Sequence, residues 1–87
     1  IRYTDDHILD YMEVDASHAI FEVEVPEEWA GKTVGELDIR KRYNINILAV
    51  KNDREFNIAI SPDTCFAENN KLLVLGEYKN LQKCFRI

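Results

Sequence analysis

Two stretches near the start of the chain alternate apolar and polar residues, and together they predict a β-hairpin. Leu9, Tyr11 and Glu13 alternate with Asp10, Met12 and Val14, which is a weak strand signal. Asp15-Ala16-Ser17-His18 has the composition of a turn. From Ala19 to Val25 the alternation is cleaner, with Phe21, Val23 and Val25 on one face and the acids Glu22 and Glu24 on the other. Pro26-Glu27-Glu28-Trp29 reads as a first helical turn that Gly31 cuts short.

Thr33-Val34-Gly35-Glu36 fits a capping box, in which Thr33 accepts from the backbone and Glu36 reaches back. The helix it opens carries Val34, Leu37 and Tyr43 toward a core. Lys41 and Arg42 suit the negative end of the helix dipole, and Asn44 suits a left-handed stop. Ile39 is off this stripe, because five residues are about 140° around a helix. It either widens the stripe or faces a partner. Ile45 to Val50 is an almost continuous apolar run, expected of a strand covered on both faces. After the charged turn Lys51–Glu55, the residues Phe56, Ile58 and Ile60 alternate as a further strand.

Ser61-Pro62-Asp63-Thr64 is a turn, Cys65-Phe66 pairs briefly, and Glu68-Asn69-Asn70 turns again. Lys71 to Leu75 forms the last strand, ended by Gly76. Glu77 to Arg86 closes as a short helix with Leu81, Cys84 and Phe85 inward. The order β-β-α-β-β-β-α predicts an α+β fold: a small mixed or antiparallel sheet with two helices.

Length and charge narrow the function. Eighty-seven residues make one domain. Residues 1–7 are expected to be a linker, and 8–87 the domain. A chain of this size buries about 60–65% of its unfolded surface, so pairing with a second chain is expected. The net charge of −5 argues against general nucleic-acid or anionic-membrane binding, but leaves room for one local basic site. No apolar run approaches the ~20 residues of a membrane span, so direct insertion is not expected. The opening Ile1-Arg2-Tyr3-Thr4 lacks an initiator Met and reads as a cut from a longer protein. Cys65 and Cys84 form no Cys-x-x-Cys unit and are expected to be buried or half-buried thiols in a reducing cytosol.

Catalytic chemistry finds little support. His7 and His18 have no neighbours at zinc-ligand spacing and read as surface histidines. Ser17 and Ser61 lie in turns without a nucleophile motif, and no glycine-rich phosphate loop occurs. Neither an enzyme, a metal nor a resident cofactor is expected. Arg40 and Asn46 remain, at the ends of a helix and a strand. A guanidinium offers a planar fork of donors to phosphate oxygens. An Asn amide beside the Ile47 N–H can complete an anion site. Spacing alone favours the plainer reading, in which Arg40 is a surface helix residue and Asn46 a turn residue.

The run Gly31-Lys32-Thr33-x-x-Glu36-Leu37-x-x-Arg40-x-x-Tyr43-x-Ile45-x-Ile47-Leu48-Ala49, with Ser61-Pro62-Asp63-Thr64 and Leu72 to Gly76, resembles the TrkA-C (RCK-C) domain. That domain is the C-terminal regulatory part of cytosolic proteins that gate potassium channels and transporters. The similarity covers residues 8 to 86, and Tyr43 to Val50 is most like the Ktr-type regulators of potassium uptake in Gram-positive bacteria. Asn70-Lys71 departs from the Gly-Asp that many members carry before the last strand. The resemblance implies a cytoplasmic homodimer that binds cyclic di-AMP between subunits and thereby inhibits potassium uptake through a membrane subunit. It implies that Arg40 holds a phosphate, with Asn46 and the Ile47 N–H completing the site. Val34, Ile39 and Pro62 would then wall the adenine, which would give Ile39 a reason to face outward. A dimerisation module without ligand, or one sensing another ligand, is the alternative.

Overall fold

The structure is a computed structural model and describes residues 8–53 and 55–85. The proposed linker 1–7, His7 and the Arg86 end of the last helix lie outside the described residues.

The alternation in the first strands becomes two sheet faces of different character. Strand β1 (Ile8–Glu13) pairs antiparallel with β2 (His18–Glu24), in which Ala19, Phe21 and Val23 are fully buried. The turn between them is tied by Asp15, whose Oδ1 accepts from the Ser17 and His18 N–H groups, both at 2.8 Å. A 3₁₀ turn follows at Glu27–Trp29, as the Pro-acid-acid composition implies. Helix α1 (Val34–Leu37) carries the complete capping box, and α2 (Ile39–Tyr43) follows after a break at Asp38. Strands β3 (Asn46–Lys51), β4 (Phe56–Asn57) and β5 (Lys71–Glu77) precede the final helix α3 (Tyr78–Phe85). The five strands form one antiparallel sheet in the order β1-β2-β5-β3-β4.

Register explains the core. Phe21 lies opposite Val74, Val23 opposite Leu72, and Ala19 opposite Gly76, so both central strands present buried side chains to the same face. Helices and turns cover that face with Leu37, Ile39, Phe66, Leu81 and Phe85. Trp29 packs against Phe66 and Phe85, with ring centroids 5.6 and 5.5 Å apart. Each such large apolar side chain contributes about 1.5–3 kcal/mol by leaving water. Asn70, the one buried polar residue among those described, is satisfied: its Oδ1 accepts from the Ala67 N–H at 2.9 Å.

Several expectations need correction. The helix from Val34 to Tyr43 is not continuous, because Asp38 adopts a left-handed conformation with φ 49°. β3 is not covered on both faces: Asn46 and Leu48 are exposed, and the pairing with β5 shifts register between Ile47 and Ala49. Such a bulge re-aims side chains that strict alternation would bury. The strand expected from Phe56 to Ile60 stops at Asn57, leaving Phe56 and Ile58 exposed. Gly76 does not end the last strand, which runs on to Glu77. Cys65 is exposed, whereas Cys84 is half-buried as expected.

Candidate functional site

The capping box fixes where the cleft begins. Glu36 N–H donates to Thr33 Oγ1 at 3.1 Å, and Thr33 N–H donates to Glu36 Oε1 at 3.1 Å. The next two helical N–H groups reach across to the turn at 61–64: Val34 donates to the Thr64 carbonyl and Gly35 to the Pro62 carbonyl, each at 2.9 Å. These donors are thereby occupied, so the α1 N-terminus is not an anion cradle. The same contacts hold Pro62 against the helix. A Cβ on Gly35 would stand 3.0 Å from the Pro62 carbonyl oxygen and 3.1 Å from its Cβ.

Asp38 then resets the chain. Its N–H caps Val34 and its carbonyl accepts from the Arg42 N–H at 2.9 Å, so one helix ends and another starts at the same residue. The restart turns Ile39 inward, where it is 2% exposed, and leaves Arg40 exposed. Ile39 therefore joins the core, the first of the two alternatives, and does not face outward as the resemblance implied; a 100° step cannot be counted across a left-handed residue. Asn44, with φ 56°, ends α2 as expected, and its N–H caps the Arg40 carbonyl. Ile45 drops into the core and Asn46 emerges exposed at the start of β3.

These turns enclose an open cleft of about 320 Å³. Val34, Ile39, Arg40, Asn46, Ile47 and Pro62 all line it. The six residues singled out by the resemblance therefore meet in one place, although they come from two helices, a strand and a turn. Val34 and Ile47 are half-buried, Arg40, Asn46 and Pro62 are exposed, and Ile39 makes an apolar floor. Arg40 is the only cation lining it among the described residues. Residue-by-residue reading missed Gly35, Asp38, Ile45, Ile60 and Ser61, which also line the cleft. Asp38 could have been noticed as an acid in mid-helix with no cap to make. Gly35 could have been noticed as a glycine in a first helical turn, where only a close approach favours it.

The remaining chemistry-bearing residues lie elsewhere. His18 Nδ1 is 3.0 Å from Asp15 Oδ1 in the first turn, a hydrogen-bonded surface histidine. Burial pushes the Cys84 thiol up to about 12, although the Arg42 charge pulls the other way. Among the described residues, no group of three or more potential ligands could hold a metal ion. No helix of the described residues is long and apolar enough to cross a membrane.

Known proteins give this geometry a context. The family model of the TrkA-C domain matches residues 18–87. Ktr system potassium uptake protein C of Bacillus subtilis (strain 168) is 30% identical over 78 residues, covering 90% of this chain and 35% of that protein. The chain spans little more than a third of the length of the curated relatives it matches. A solved structure of the RCK C domain of the potassium transport protein KtrA, in complex with cyclic di-AMP, superposes with a TM-score of 0.75 at 33% identity. The match covers 79% of this chain and 81% of that one. The RCK_C domain dimer of S. agalactiae BusR, also in complex with cyclic di-AMP, shares the fold with a TM-score of 0.64 at 19% identity, over 77% of this chain and 89% of that one. On the match over residues 18–87 and the likeness to the Ktr protein, this chain belongs to the TrkA-C (RCK-C) domain family, a family of regulatory domains and not of enzymes.

Proposed function

We propose that the chain is the ligand-sensing domain of a cytoplasmic potassium-transport regulator, and that it binds cyclic di-AMP across a homodimer. The observation that carries this reading is the convergence of Arg40, Asn46, Ile47, Val34, Ile39 and Pro62 on one cleft. The likeness to a KtrA domain that holds the same ligand supports it.

The cleft fits half of such a ligand. At about 320 Å³ it lies at the low end of small-molecule sites, which run to about 300–1,000 Å³. One half takes an adenine against Val34, Ile39 and Pro62. Arg40 then meets the phosphate, with the Asn46 amide and the Ile47 N–H beside it. Asp38, a carboxylate in the same wall, faces hydroxyl or amine donors of the ligand and not its phosphates. A ligand with two-fold symmetry is completed by the same cleft of a second chain, which is an isologous arrangement. Binding then selects one angle between subunits and shifts the attached transporter toward its inactive state. The shift is bounded by the difference in ligand affinity between the two states.

Calorimetric titration with cyclic di-AMP tests the residue assignment. Removing a guanidinium that makes charge-assisted hydrogen bonds costs about 1.5–3 kcal/mol, so Arg40→Ala is expected to weaken binding roughly 10- to 100-fold. Equal affinity in the two proteins contradicts the assignment.

A further inference from the structure

A second, smaller pocket lies between the 3₁₀ turn, α2 and α3, away from the cleft. It encloses about 190 Å³, and three of its lining residues are cations: Lys32, Arg42 and Lys83. They come from three separate segments of a chain whose net charge is −5. Among the described residues, none of the three forms an ion pair. Glu28 is the single carboxylate in the lining among the described residues.

The cations stand on a rigid base. Lys32 is held from both sides of its peptide: its N–H donates to the Trp29 carbonyl at 3.0 Å and its carbonyl accepts from Phe66 at 3.0 Å. Arg42 lies with its Cζ 5.3 Å from the centroid of the Tyr43 ring, which restricts the guanidinium. Lys83 sits in α3 between Leu81 and Phe85, both buried. Lys41 and Arg42 are equally placed to complement the end of α2, yet Arg42 lines the pocket and Lys41 does not. Glu28 offsets one of the three charges, and the like charges left on one concave surface repel unless a further anion lies among them.

The geometry points to a second binding site here, for a compact multivalent oxyanion of the phosphoryl or pyrophosphoryl class, held by Lys32, Arg42 and Lys83. The site stands independently of the cleft and of the ligand proposed for it. The volume admits a phosphoryl group and leaves a nucleoside outside.

Nuclear magnetic resonance titration of the full 87-residue chain at constant ionic strength tests it, first with inorganic pyrophosphate and then with ADP. The expected result is saturable shifts at Lys32, Lys83 and Cys84. Loss of one charge-assisted contact in Lys83→Gln is expected to weaken pyrophosphate about tenfold. Tighter binding of ADP identifies the anion as a nucleotide's phosphate tail, and equal binding identifies a free phosphoryl group. Linear, unsaturated shifts, or a pyrophosphate affinity in Lys83→Gln and Lys32→Gln equal to that of the unaltered chain, overturn the proposal. Cyclic di-AMP binding should be unchanged in both variants, which separates failure here from failure at the cleft.

Discussion

At Asp38 the backbone turns left-handed, with φ 49° and ψ 44°, and that one conformation shapes the cleft more than any charge does. It buries Ile39 as the floor and leaves Arg40 on the rim. Helical periodicity left Ile39 open between core and partner, because periodicity assumes an unbroken axis; Arg40, Asn46 and Ile47 were legible from spacing, and Val34, Ile39 and Pro62 only from the resemblance. Asp15 offers a separate, measurable case. The Ser17 N–H first, then the His18 ring and N–H, hold its carboxyl at about 2, against an ordinary value of 3.8. The unfolded chain therefore binds a proton at higher pH than the folded one does. This contribution to stability is full above about pH 4 and is lost as pH falls through 2. Asp15→Ala should lower the melting temperature near neutral pH, and the gap from the unaltered chain should close between pH 4 and 2. A gap that stays constant over that range would remove the assigned cause.

Elements were legible where one physical rule dominates. The capping box at Thr33 and Glu36, the left-handed stop at Asn44 and the Phe21–Val23–Val25 face all follow from the sequence and stand in the structure. The bulge in β3 was not legible, because Ile47, Leu48 and Ala49 offer nothing to say which of them steps out of register. β4 was overextended because Phe56, Ile58 and Ile60 alternate like a strand, yet pairing with β3 ends at Asn57. Gly76 shows how closely β5 approaches its neighbour. A Cβ there would lie 2.7 Å from Ile45 Cγ2 and 3.3 Å from Ile45 Cβ. Ile45 is branched at that carbon and buried, so it cannot swing aside. Gly76→Ala is accordingly expected to cost about 1–3 kcal/mol in chemical denaturation, as overpacking does. An unchanged midpoint would mean that β5 has room to move away from the residue that leads into Asn46.

Among the described residues, the helices pack on one face of the sheet only. On the other, Ile20, Leu73 and Leu75 are half-buried and Met12 is 63% exposed. Ile58, 78% exposed, precedes the cleft residue Ile60 by two positions. A small chain with this much apolar surface outside its core is suited to a partner. Among the described residues the cleft carries one cation, and it is open to solvent, which suits a site completed by a second copy. The stoichiometry of a calorimetric titration with cyclic di-AMP tests that claim most directly. Saturation at one ligand per two chains, with dimers in sedimentation, is the expected result. Saturation at one ligand per chain, or heats no larger than those of dilution, would contradict it.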